Sequence, residues 1–182
     1  SLDGKTIRST EKMDKYSSPL HIISAQIAEL GITFGQQTVG GKTNEIPAVR
    51  ELLSILQLDG CIVVADALNC QKQTAKAIVD GKADYLLNVK DNQETLKKDI
   101  ADYVQDDSLR ETMDTASTQE NNRGRIELRT AFSTSDIEWL FGKEKWEGLA
   151  SIGAVNRIVT SKTGTTNEWH YFISSRELSA EE

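Results

Sequence analysis

The stretch "GCIVVADALNCQ", residues 60–71, decides how the rest of the chain is read. Cys61, Ile62, Val63, Val64 and Ala65 form an apolar, largely β-branched run with the length of one buried strand. Asp66 ends it. Downstream, "CQKQTAKAIVDGK" (70–82) sets Ala75, Ile78 and Val79 at helical spacing, with Gly81 as a stop. "ADYLLNV" (83–89) is another buried strand, and "NQETLKKDIADYV" (92–104) a helix with Leu96, Ile100 and Val104 on one stripe. Upstream, "TNEIPAVRELLSILQL" (43–58) puts Ile46, Val49, Leu52, Leu53 and Leu56 on one helical face. Thr43 or Asn44 can cap that helix, and Pro47 suits its first turn. Strands joined through helices run parallel, with right-handed crossovers.

The first 40 residues read differently. "PLHIISAQIA" (19–28) and "GITFGQQTV" (31–39) predict two strands with a turn at 29–31. A short strand ending at Asp3 completes an antiparallel trio, and Ser9 to Ser18 reads as a polar loop. The predicted order is three strands, helix, strand, helix, strand, helix. That is the order of a ribonuclease H-like α/β fold, a mixed sheet of three antiparallel strands continued by parallel strands. Its first strand is central and pairs in parallel with the fourth. Beyond Val104, residues 105–122 are polar and acidic. Residues 125–134, 148–161 and 168–174 predict further strands, the last two around "KTGTTN". The expected division is a catalytic core over 1–104, cut at its N-terminal side, and a β-rich insertion over 105–182, cut at its C-terminal side.

Composition bounds the function. At 182 residues, 38% hydrophobic and 27% charged, the chain is expected to be a soluble domain with a real core. It has no apolar run near the ~20 residues of a membrane helix and no signal-peptide pattern. Cys61 and Cys70 make no disulfide framework, and His21 and His170 do not stand at zinc-ligand spacing from them. A cytoplasmic setting is the expectation. The net charge of −7 argues against a wholly basic nucleic-acid-binding surface. It permits basic strips around an acidic site.

The predicted topology gives Asp66 a partner. If strands one and four are parallel neighbours, Asp3 and Asp66 sit side by side at the carboxyl edge of the sheet, ~4.8 Å apart by strand spacing. Two carboxylates that close repel unless a cation lies between them. Oxygen-only ligands select Mg²⁺ or Mn²⁺ over zinc. Such a site suits in-line displacement at a phosphodiester. The competing reading is that strands end in polar residues because loops are polar.

The segments "DGKTIRST" (3–10), "GCIVVADALNCQKQTAKAIVDGKADYLLNVKDNQ" (60–93), "NRGRIELR" (122–129) and "HYFISS" (170–175) together resemble the DDE transposases of bacterial insertion sequences. The group containing the H-repeat-associated proteins is the most similar. The resemblance covers most of the chain, in one order. It implies a ribonuclease H-like catalytic core, DNA strand cleavage and strand transfer, and a divalent metal, Mg²⁺ or Mn²⁺. It also implies DNA partners (element ends and target) and a homodimer or higher oligomer in the synaptic complex. By motif match Asp3 corresponds to the first family acid and Asp66 to the second. A third acid is expected beyond Glu182, on a helix after the inserted strands. Glu127, with Arg123, Arg125 and Arg129 nearby, is the lesser candidate; strand alternation alone explains it. A nuclease with the same core and an inactive remnant are the alternatives.

Other residues carry two readings each. Lys5 and Arg8 are a solvated pair or contacts to DNA phosphates. Lys90 leaves a strand or reaches a phosphate, while Asn92 would cap the next helix. Trp139, Trp146 and Trp169 pack a core or stack on bases. His21 and His170 are packed or surface residues rather than bases.

Overall fold

The computed structural model describes residues 1–7, 20–27, 32–39, 45–122 and 124–181. The chain divides into two compact units, Ser1–Leu87 and Asn88–Glu182.

In the first unit, strands β1 (Leu2–Ile7), β2 (Leu20–Ile27) and β3 (Ile32–Val39) precede helix α1 (Glu45–Ile55). Strand β4 (Ile62–Ala65), a 3-10 turn (Ala67–Asn69), helix α2 (Lys72–Asp80) and strand β5 (Asp84–Val89) follow, the unit boundary falling within β5 after Leu87. The strand order is β3-β2-β1-β4-β5. β1 and β2 are antiparallel, as are β2 and β3, whereas β4 runs parallel to both β1 and β5. This is the predicted mixed α/β arrangement, with the first strand central. Pro47 falls in the first turn of α1, where it needs no intrahelical donor. The capping candidates Thr43 and Asn44, the loop Ser9–Ser18 and the turn 29–31 lie outside the described residues.

One face of the sheet is the core. Leu2, Ile23, Ala25, Val63, Ala65, Tyr85 and Leu87 are buried on it. Val49, Leu52 and Leu53 of α1 are buried too, as the helical spacing anticipates. The helix approaches closely at Gly35, where a Cβ would stand 3.0 Å from Leu56 Cδ2 and 3.2 Å from Leu52 Cδ1. β4 is not buried on both faces as its apolar run suggests. Val63 and Ala65 point inward, but Ile62 is 38% and Val64 41% exposed. Strand alternation sends them to the opposite face.

Gly81 ends α2, but with φ −77°. The left-handed residue is Lys82, at φ 59°. Thr74 of α2 is fully buried and, among the described residues, its Oγ1 has no hydrogen-bond partner. A buried hydroxyl without a partner costs about 1–3 kcal/mol. Thr74→Val, which keeps the shape and removes the hydroxyl, is therefore expected to stabilise the chain by about 1 kcal/mol. A urea midpoint raised at unchanged slope checks this.

In the second unit, helices α3 (Glu94–Gln105) and α4 (Asp107–Arg110) precede an antiparallel meander. Its strands are β6 (Asp114–Asn122), β7 (Arg125–Thr134), β8 (Ser151–Ser161) and β9 (Gly164–Ser174). Leu96, Ile100 and Val104 of α3 are buried as predicted, as are Ile152, Ala154, Tyr171 and Ile173 of the meander. Three differences from the sequence reading stand out. β6 occupies part of the polar, acidic stretch 105–122, where no strand is predicted, β9 starts inside "KTGTTN", and Gln93 rather than Asn92 stands at the N-cap of α3. Asn92 belongs to a preceding 3-10 turn, Asp91–Gln93. The tail folds back on the meander: Ser133 Oγ donates to the Leu178 carbonyl and Ser151 Oγ to that of Arg176, each at 2.6 Å.

Candidate active site

The apolar run of β4 stops at Ala65, opposite Leu2 of β1. Each strand continues into an aspartate, Asp3 and Asp66, so their backbones occupy corresponding positions past a parallel pair. β1 does not end at Asp3 as the sequence suggests. It continues to Ile7, paired with its antiparallel partner β2, with Asp3 opposite Ser24 and Ile7 opposite Leu20. Among the described residues the parallel pairing with β4 is the Leu2–Ala65 pair, after which β4 leads into the 3-10 turn. The side chains of Asp3 and Lys5, and all of Arg8, lie outside the described residues.

Asp66 starts the 3-10 turn with an extended backbone, φ −69° and ψ 173°. The turn closes through Asn69 N–H donating to the Asp66 carbonyl at 3.1 Å and Cys70 N–H to that of Ala67 at 3.1 Å. The Asp66 carboxylate is exposed. Its Oδ1 accepts from Asn69 twice, from the backbone N–H at 3.3 Å and from Nδ2 at 3.0 Å. Among the described residues, Oδ2 has no partner. A hard cation takes such an oxygen readily. No group of three His, Cys, Asp or Glu side chains is placed to hold a metal among the described residues.

Asn69 was not singled out from the sequence. Its signal was present: an acid ending a strand with an amide three residues on is a capping pattern.

Lys90 is exposed and precedes the 3-10 turn Asp91–Gln93, its carbonyl accepting from Gln93 N–H at 2.9 Å. It belongs to the second unit. Cys61 is exposed and Cys70 buried, and burial pushes the Cys70 thiol up to about 12. Trp146 is buried. Trp139 stacks on Tyr103 with centroids 4.5 Å apart, and Trp169 stacks on both Phe132 and Tyr171. His170 Nε2 lies 4.0 Å from Glu168. The side chain of His21 lies outside the described residues.

Glu127 is held by guanidinium groups. Arg157 grips it with both arms, Nε to Oε1 at 2.7 Å and Nη2 to Oε2 at 2.9 Å. Arg129 Nη2 lies 2.5 Å from Oε1, and Arg125 Nη2 3.4 Å from Oε2. Arg123 lies outside the described residues. The register explains the cluster. Arg129 stands opposite Arg157 and Glu127 opposite Glu120, two like-charged pairs. Each pair is bridged by the opposite charge lying diagonally across. The hydrogen bonds from Arg157, then the charges of Arg129 and Arg125, hold the Glu127 carboxyl down at about 2. A carboxylate with both oxygens engaged in this way is poorly placed to ligate a cation.

Glu127 therefore strengthens the fold above the usual carboxylate value of 4.5, and that contribution is lost as pH falls toward about 2. Melting curves from pH 6 to 2 should show the advantage of the wild type over Glu127→Gln shrinking across that window. A constant gap would show that the ion pairs do not stabilise the fold.

Among the described residues, no helix is long and apolar enough to cross a membrane. The family model described as "Transposase DDE domain" matches residues 1–182. A putative transposase YncI of Escherichia coli O157:H7 is 35% identical over 186 residues, covering 100% of this chain and 48% of that protein. The H repeat-associated putative transposase YhhI of Escherichia coli (strain K12) is 31% identical over 187 residues, covering 99% of this chain and 49% of that one. The chain thus spans about half the length of these relatives. A solved chain of the piggyBac transposase synaptic complex with hairpin DNA has a TM-score of 0.46 and 11% identity, over 98% of this chain and 33% of that one, a likeness too weak to carry an argument.

Proposed function

The chain belongs to the transposase DDE-domain family, and from that premise we propose that it contributes the first two acids of a metal-dependent centre for DNA strand cleavage and strand transfer. One observation carries the reading: a parallel Leu2–Ala65 pair is followed in both strands by an aspartate. Asp3 and Asp66 would hold Mg²⁺ or Mn²⁺, and the bound ion supplies Lewis-acid stabilisation at the scissile phosphate. Water attacks the scissile phosphorus and the P–O3′ bond breaks, which leaves a 5′-phosphate and frees a DNA 3′-hydroxyl. That hydroxyl then attacks a target phosphodiester and displaces a second 3′-oxygen, so the number of phosphodiester bonds is conserved in the joining step.

The fold of the core is read as ribonuclease H-like, and its partners as element ends and target DNA. Lys5, Arg8 and Lys90 are candidates for phosphate contacts. A homodimer or higher oligomer is the expected synaptic form, and the cytoplasm the expected compartment. The third acid is sought outside these 182 residues, because Glu127 is already engaged by Arg157, Arg129 and Arg125. The test is incubation of end-labelled element DNA and target with the full-length transposase carrying this domain, with and without Mg²⁺. Joined products are expected. Cleaved products only would assign a nuclease, and no product an inactive remnant.

A further inference from the structure

We propose that Asn69 is a positioning residue that aims Asp66 at its cation, an inference that rests on the metal-dependent reading above. Asn69 is 2% exposed. Burying an amide is costly unless its groups are used. Here one residue sends two donors, Nδ2 and the backbone N–H, to a single oxygen of Asp66. A capping aspartate needs only the backbone donor to complete its turn. The side-chain amide adds a second, charge-assisted bond that fixes the plane of the carboxylate.

The consequence is an asymmetry. Oδ1 is tied down, while Oδ2 of the exposed carboxylate has no partner among the described residues. The turn carrying the amide is itself anchored. Cys70 beside it is fully buried, and Gln71 N–H donates to the Asn69 carbonyl at 2.9 Å. The donor thus sits on a fixed support, as an outer group orienting a metal ligand requires.

The test titrates the 182-residue chain with Mn²⁺, followed by water-proton relaxation, for the wild type, Asp66→Asn and Asn69→Ala. Asp66→Asn should lose specific binding. Asn69→Ala should raise the half-saturating concentration about 10- to 100-fold, while a cooperative melt shows the fold retained. Wild-type affinity in Asn69→Ala, with binding lost in Asp66→Asn, would overturn the role of Asn69 and leave the metal reading standing. Equal behaviour of wild type and Asp66→Asn would overturn both. Should Asn69→Ala not fold, the wild type decides the matter through ¹⁵N–¹H spectra during a Mg²⁺ titration. The Asn69 side-chain amide should shift with the same midpoint as the Asp66 backbone amide; an unmoved side-chain amide overturns the proposal.

Discussion

Asp66→Asn in the full-length transposase is expected to lower Mg²⁺-dependent strand cleavage by about a thousandfold or more while leaving the fold intact. Metal-held charge stabilisation contributes several kcal/mol to a phosphoryl-transfer transition state, and each 1.36 kcal/mol is tenfold in rate. The fold has little reason to change. Asp66 is exposed, Asn has the same shape, and its amide oxygen can still accept from Asn69. The stability change should stay within about 0.5 kcal/mol, the usual range for surface substitutions. Nicking of labelled DNA and a thermal melt, run on the same preparation, check both halves. Retained nicking would remove Asp66 from the mechanism.

Leu87→Ala is expected to be the most damaging stability change of those considered, at about 3 kcal/mol within a usual range of 2–5. Leu87 is fully buried on β5 and lies opposite Ala65, the last residue before Asp66. Removing its branched end leaves a cavity beneath that strand end, which neighbouring side chains fill only partly. A protein of this size has only ~5–15 kcal/mol of net stability, so this loss is a large share. Leu68→Ala, at a position 40% exposed, is the matched control and should cost far less. Urea unfolding of both variants provides the comparison. Similar midpoints would mean that the β4–β5 core is not packed as described.

The element order from α1 to α3 was legible because buried faces leave a period in the sequence. Val49, Leu52 and Leu53, or Leu96, Ile100 and Val104, repeat at helical spacing whatever they pack against. β6 was not legible. Its sequence, "DTASTQENN", offers no apolar alternation, and it is a strand because β7 presents a ladder to pair with. Asn92 failed as a cap because a 3-10 turn over Asp91–Gln93 moved the N-cap to Gln93, a choice between two local geometries that the sequence leaves open.

The two aspartates show the division most clearly. The sequence by itself determined that Asp3 and Asp66 are present, that an apolar strand leads into Asp66, and that the surrounding motifs resemble one family. Tertiary structure decided the rest. Only sheet register sets Leu2 beside Ala65 in parallel, and only the turn after β4 brings both Asn69 donors to one carboxylate oxygen. Glu127 is already the lesser candidate in sequence, and only the tertiary structure shows Arg157 from β8 engaging it. Periodicity is written along the chain because each element buries one face. Pairing between distant strands is not, because it depends on which register buries the most apolar surface and leaves the fewest charges unmatched.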